Sequence, residues 1–302
     1  RIEQLLIVLL LGIFTQAPAQ TDVITGIESP SGIAIYDDHL YVVKIESKKI
    51  IKIDLTESVP IAVDFISGLD SPYLGGIVVY KDDLYLIQKS NNSSIYGCVK
   101  KISLLDDTPS LSTVFDNGGG AAISALAIYE GTLYVAEYFG GHIKMVDLTV
   151  SPHVVNSTIS TGLSILGFYI TATATNLYIS NGYYKMFDID LTTIPPTTKY
   201  MSPKIGLNRD SELYNGNLYV AEDSGGRVDS GKVKKFDPSV AINYTTVVSG
   251  LNNPIGLAVY KDELYISEKG GDKISKISLA VLSVESQKHT PKLLYPNPSS
   301  NY

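Results

Sequence analysis

The chain has no tryptophan, one cysteine, three methionines and four histidines in 302 residues. A single thiol, Cys98, makes no intramolecular disulfide and supplies no cysteine-based metal centre. His39, His142, His153 and His289 lie far apart and follow no ligand spacing; neither His-Glu-x-x-His nor Gly-x-Ser-x-Gly occurs. Without tryptophan, a strong aromatic platform for sugars has little to build on. Basic charge is short as well: 24 Lys+Arg stand against 31 Asp+Glu, a net charge of −7, and basic runs stop at pairs such as Lys48-Lys49 and Lys234-Lys235. A nucleic-acid partner needs a basic footprint, so none is expected. The glycine run at Asp116–Gly120 lacks the following lysine and helix that a phosphate loop requires.

Hydrophobic residues make up 44% of the chain, enough for a buried core. The longest apolar run, "LLIVLLLGIF" at residues 5–14, is too short to span a bilayer comfortably. It is followed by Ala17-Pro18-Ala19, a small-x-small site. Together they describe a secretory signal peptide over residues 1–19, and predict an exported protein with no transmembrane anchor after cleavage.

From there the sequence repeats itself. The dipeptide Leu-Tyr occurs at Leu40-Tyr41, Leu84-Tyr85, Leu133-Tyr134, Leu177-Tyr178, Leu218-Tyr219 and Leu264-Tyr265, with the tyrosines 44, 49, 44, 41 and 46 residues apart. A fixed period of this length marks a propeller or a related array. Each unit holds four short segments rich in Val, Ile and Tyr, bounded by Gly, Pro, Asn and Asp, as expected of an antiparallel meander. The fold class predicted is therefore all-β: a six-bladed β-propeller of four-stranded antiparallel blades over residues 20–280. Outer strands are expected at Ile61–Ser67, Leu111–Asp116, Val154–Ser160, Thr198–Ser202 and Tyr244–Ser249. The sixth is "DVITG", Asp22–Gly26, which pairs with residues 273–279 so that the N-terminal strand closes the ring and removes the open edges.

The recurring pattern "P-x-G-[IL]-A-[IV]-Y…LYV-[AS]-E…I-x-K-[IV]-[DS]-L" over residues 22–280 resembles the NHL-type repeats and the broader TolB-like and SMP-30/gluconolactonase-like six-bladed propellers. The likeness speaks for architecture more than activity. Residues 281–302 contain no further blade; Leu282–Val284 and Tyr295-Pro296-Asn297-Pro298 resemble the start of a C-terminal sorting domain of the type IX secretion system. That resemblance implies the type IX machinery as a partner, and a secreted or cell-surface location.

Functional candidates fall on the loop face and the channel mouth, since loops on a rigid scaffold carry binding. Three residues beyond each Leu-Tyr tyrosine stand Glu137, Glu222 and Glu268, with Lys44, Gln88 and Asn181 in the same register. All six are polar, as expected if each binds its own Gly-rich loop; the carboxylates are also the oxygen type that Ca²⁺ selects. Blade five departs from the repeat. There Asn208, Arg209, Asp210 and Glu212 gather in the first strand, and Glu212 replaces Ala34, Val78, Ala127 and Ala258 of other blades. A buried carboxylate needs a partner, a proton or a metal: Arg209 is the expected partner, and Asp210 with Glu212 the candidate metal ligands. Tyr73, Tyr138, Tyr183 and Tyr184 fall in loops, where they can stack on sugars or peptides. The acids of "FDID", Phe187–Asp190, are read as turn chemistry, like Asp54, Asp147 and Asp237.

The missing catalytic set favours a monomeric binding module that recognises an extracellular protein, peptide or glycan. The alternative is a divalent-metal-dependent lactonase or related hydrolase of the SMP-30 type, in which a bound cation polarises a carbonyl. For the metal-binding glutamate that this resemblance implies, Glu28 is the loose candidate.

Overall fold

The computed structural model describes residues 19–280, apart from 71–75, 89–96, 119–120, 165, 182–184, 203–205, 224, 226 and 241–242. The expected leader and tail, Tyr73, Tyr183, Tyr184 and the side chain of Asn181 lie outside the described residues.

The chain opens with β1 (Thr21–Thr25). Blade one follows as β2 (Pro30–Tyr36), β3 (His39–Lys44), β4 (Lys49–Asp54) and β5 (Ala62–Ser67). Blade two is β6 (Ile77–Tyr80), β7 (Asp83–Gln88), β8 (Cys98–Ser103) and β9 (Ser112–Asp116). Blade three is β10 (Ile123–Tyr129), β11 (Thr132–Glu137), β12 (His142–Asp147) and β13 (Val154–Ser160). Blade four is β14 (Leu166–Ala172), β15 (Asn176–Asn181), β16 (Met186–Asp190) and β17 (Thr197–Ser202). Blade five is β18 (Leu207–Tyr214), β19 (Asn217–Asp223), β20 (Gly231–Phe236) and β21 (Tyr244–Leu251). Blade six is β22 (Pro254–Tyr260), β23 (Glu263–Glu268) and β24 (Lys273–Ser278), and its fourth strand is β1. Every pairing is antiparallel, and Thr21 faces Lys276, Asp22 faces Ser275 and Thr25 faces Lys273 at the seam. These are the six four-stranded blades expected from the period, closed by the N-terminal strand.

The Leu-Tyr dipeptide holds the ring together because successive side chains of a strand point to opposite faces. Leu40 packs with Ala258, Tyr265 and Ile274 of blade six, while its neighbour Tyr41 packs with Ile77, Leu84 and Leu86 of blade two. The same division recurs at each interface, so the core is a set of six apolar layers between blades. Second strands are buried on both faces and read as continuous hydrophobic runs, such as "LYVV" in β3; outer strands such as β5 are largely exposed. At the ends of the third strands, Asp54, Asp147, Asp190 and Asp237 each accept a backbone N–H and a hydroxyl from the residue two positions on (Thr56, Thr149, Thr192 and Ser239). These bonds hold all four carboxyls below the usual aspartate range.

Candidate functional site

First strands line the central channel, and register against the second strands fixes which positions correspond. Ala34, Val78, Ala127, Thr171, Glu212 and Ala258 each lie opposite the tyrosine of their blade's Leu-Tyr pair. Two residues earlier stand Gly32, Gly76, Ala125, Tyr169, Asp210 and Gly256. Both positions are small or apolar in blades one, two, three and six. In blades four and five they are Tyr169 with Thr171, and Asp210 with Glu212. One quadrant of the channel is thus polar.

The channel encloses a cavity of about 420 Å³ walled by runs 33–35, 77–79, 126–128, 169–172, 210–213 and 257–259. Inner strands leave one edge without a neighbouring strand, so their N–H and C=O groups look for other partners. In blade six two of these N–H groups are met by blade five. Leu257 N–H donates to Asp210 Oδ2 at 2.8 Å, and Val259 N–H donates to Glu212. Ser211 N–H donates to Asp210 Oδ1, also at 2.8 Å. On the other side, Thr171 Oγ1 lies 2.5 Å from Ser211 Oγ and donates to the Ser211 carbonyl at 3.2 Å. Tyr169 lines the same cavity, and its buried hydroxyl has no hydrogen-bond partner among the described residues.

Asp210 and Glu212 are half-buried, since water reaches them along the channel, but the aliphatic wall deprives them of bulk solvent. Burial pushes the Asp210 carboxyl up to about 7 despite the N–H bonds from Leu257 and Ser211. Burial, helped by the charge on Asp210, pushes Glu212 to about 8, with the Val259 N–H opposing. Burial and the nearby Asp210 raise Tyr169 well above its ordinary value. Near neutral pH the pair therefore shares protons, because two negative charges are not supported in this wall.

The expected Arg209–Glu212 pair does not form. Arg209 Nη2 sits 2.8 Å from Asp223 Oδ2, and the guanidinium grips that buried carboxylate with Nε at 3.3 Å as well. The cause is a register shift between Asn208 and Asp210, which places Arg209 in a bulge and turns it away from the channel. Among the described residues neither Asp210 nor Glu212 takes part in an ion pair. Asn208 is buried outside the cavity wall, and its amide O and N have no hydrogen-bond partner.

Glu137, Glu222 and Glu268 stand away from the channel wall and act as internal latches. Glu268, almost fully buried, accepts from Asn252 N–H at 2.9 Å, from Ser275 Oγ at 2.6 Å and from Gln20 Nε2 at 2.6 Å. Glu137 accepts from Asn117 Nδ2 at 3.1 Å and lies 3.3 Å from His142 Nδ1 and 3.8 Å from Lys144 Nζ. Glu222 is ion-paired with Lys234. In each case the strand-two carboxylate ties strand three, and in blades three and six also the incoming linker. Glu28 is 65% exposed and pairs with Lys44 at 3.7 Å, outside the cavity.

Tyr169 and Thr171 escaped the sequence reading. The signal was present: counting seven residues back from Tyr178, as from Tyr219 to Glu212, lands on Thr171, and two more on Tyr169.

No family model matches the chain, and no curated protein matches it. Solved structures do. An auxiliary nutrient binding protein from Bacteroides thetaiotaomicron superposes with a TM-score of 0.64 at 14% identity, covering 84% of this chain and 69% of that one. Virginiamycin B lyase from Staphylococcus aureus gives 0.61 at 12% identity, covering 86% and 98%. Aldose sugar dehydrogenase from Streptomyces coelicolor, with PQQ bound, gives 0.60 at 14% identity, covering 87% and 99%. At these identities the likeness establishes the propeller fold, which is compatible with a binding module or an enzyme.

Proposed function

We propose that the protein is a binding module whose ligand is taken in the central channel, at the polar quadrant formed by blades four and five. The observation that supports this reading is the convergence on one cavity of two carboxylates and a tyrosine with a buried hydroxyl, which among the described residues have no cationic partner and no hydrogen-bond partner respectively. Buried polar groups in native proteins are paired, and carboxylates at a cavity that lack a countercharge are matched by what enters it. A volume of about 420 Å³ suits a small molecule. The loop-face glutamates are spent on internal bonds and have less to offer a partner.

The metal-dependent hydrolase reading fits poorly. A hard divalent ion takes six to eight oxygens in the case of Ca²⁺. Among the described residues no three of His, Cys, Asp and Glu converge. Both Asp210 oxygens already accept N–H donors, and Glu28 is turned to solvent beside Lys44. The apolar leader and the Tyr295-Pro296-Asn297-Pro298 tail support export through a type IX route, so the ligand belongs to the cell surface or its surroundings.

The test is thermal unfolding of the wild type and the Asp210→Asn/Glu212→Gln double variant against small amines, organic acids, sugars and divalent chlorides. A stabilisation seen only in the wild type supports the channel site. Equal stabilisation in both proteins moves recognition to the loops.

A further inference from the structure

The channel wall also narrows the chemistry of the ligand, an inference that rests on the site just proposed. Its polar quadrant is rich in acceptors and has no cation. Among the described residues, Tyr169 is the only other titratable side chain in the wall with the pair; β2, β6, β10 and β22 contribute aliphatic groups, and β14 adds Ile170, Thr171 and Ala172. Two cations of blade five are committed elsewhere, Arg209 to Asp223 and Lys234 to Glu222, and Lys232 and Lys235 lie outside the cavity wall. Thr171 is committed to Ser211. What remains unspent at this wall is the further lone-pair capacity of Asp210 and Glu212, with the buried Tyr169 oxygen, unpartnered among the described residues, near Asp210.

We propose that this channel binds the ammonium end of a primary aliphatic amine, its three N–H donors received by Asp210, Glu212 and the Tyr169 hydroxyl oxygen, with its hydrocarbon body against the aliphatic wall. An ammonium carries three donors and no acceptor, which matches the unspent groups in number and polarity. An anion is repelled by the carboxylates. A sugar buries hydroxyls against the aliphatic side, where nothing answers them. The bound cation also supplies the countercharge that the wall lacks, so binding displaces the proton held by the pair: the carboxylic acid plus the alkylammonium give the carboxylate–alkylammonium pair and one proton to the buffer.

Isothermal titration calorimetry with hexylamine hydrochloride, in buffers of different ionisation enthalpy, tests this at pH 6, 7.5 and 9. Affinity should rise by about tenfold per pH unit below the carboxyl pKa values, with roughly one proton released per amine there; it should level off, with proton release falling towards zero, once the pair is ionised, and decline only as the amine loses its own proton near pH ~10. Hexanol should not bind. Glu212→Gln and Asp210→Asn should each weaken hexylamine by at least about tenfold, and Tyr169→Phe by a few fold. Circular dichroism checks that each variant is folded; if Asp210→Asn is not, Glu212→Gln and Tyr169→Phe carry the test. Hexylamine that fails to bind, or binds the carboxylate variants as well as the wild type, overturns the proposal. If calcium chloride or glucose binds in a Glu212-dependent way while hexylamine does not, the amine is wrong and the channel site stands. If no probe depends on Asp210 or Glu212, both readings fall.

Discussion

In blade six, Gly256 sits where the inner strand of blade one comes so close that a Cβ would fall 2.6 Å from the Ser31 oxygen and 2.9 Å from the Ile33 nitrogen. In blade five the corresponding residue is Asp210, whose carboxylate reaches the equivalent amide, Leu257 N–H, at 2.8 Å. The backbones pair in the same register, with Glu212 opposite Tyr219 and Ala258 opposite Tyr265. Glycine lets two blades meet backbone to backbone, whereas aspartate spans the same junction with a carboxylate. The fold accommodates both because the ring is specified by the second strands, whose Leu and Tyr pack toward opposite neighbours. First-strand side chains are thereby freed to carry chemistry.

The largest effect is expected in blade six, which is assembled from both ends of the repeat. A chain starting after Gly26 lacks β1, leaves β24 as an open edge, and should lose cooperative unfolding or aggregate, read by urea denaturation and size-exclusion chromatography. A monomer with an unchanged midpoint counts against the seam. Next is Arg209→Leu in blade five. It takes the guanidinium away from Asp223, whose side chain is 3% exposed and keeps the Gly225 N–H bond, and should cost about 3 kcal/mol in unfolding free energy. Because Arg209 does not serve Glu212, the cost should be the same in a Glu212→Gln background, giving an additive double-mutant cycle.

Asp210→Gly with Ser211→Leu and Glu212→Ala gives blade five the channel residues of blade six, Gly256, Leu257 and Ala258, and removes both carboxyls. Both carboxyls hold protons more tightly folded than unfolded, so the stability they contribute is full below the ordinary carboxylate range near pH ~4 and is lost as pH rises through about 7 and 8. After discounting for water in the channel, the wild type should lose about 2 kcal/mol between acidic and alkaline conditions that the triple variant does not lose. Parallel curves for the two proteins would contradict the raised carboxyls. The smallest effect belongs to Tyr169→Phe. Its hydroxyl has no partner among the described residues, so removing it should stabilise the ring by about 1 kcal/mol, and a loss of that size would reveal a partner.

The architecture was legible because one dipeptide recurs and packs both ways. The outer strand expected at Val154–Ser160 has those bounds, those of the other blades differ by one or two residues, and the seam strand Asp22–Gly26 lies at Thr21–Thr25. The register of Glu212 was legible for the same reason. The partner of Glu212 was not, since a bulge between Asn208 and Asp210 redirects Arg209, and a one-residue irregularity leaves no mark on the hydrophobic pattern. Nor does the sequence show how far a side chain stands from the channel axis. Glu137, Glu222 and Glu268 repeat at one register because each latches its own blade, and repetition alone does not separate a latch from a ring of ligands.

The seam also sets an order of events. Asp22 and Lys273 meet at 2.7 Å across 251 positions of sequence. Loop-closure entropy grows only logarithmically, so joining ends this distant costs roughly 3 kcal/mol more than closing a ten-residue loop, little enough for one strand to repay. As the chain is made from its N-terminus, β1 has no partner until the final blade emerges. Completion is therefore all or nothing: a chain interrupted upstream yields an open arc with two unpaired edges, never a smaller closed ring.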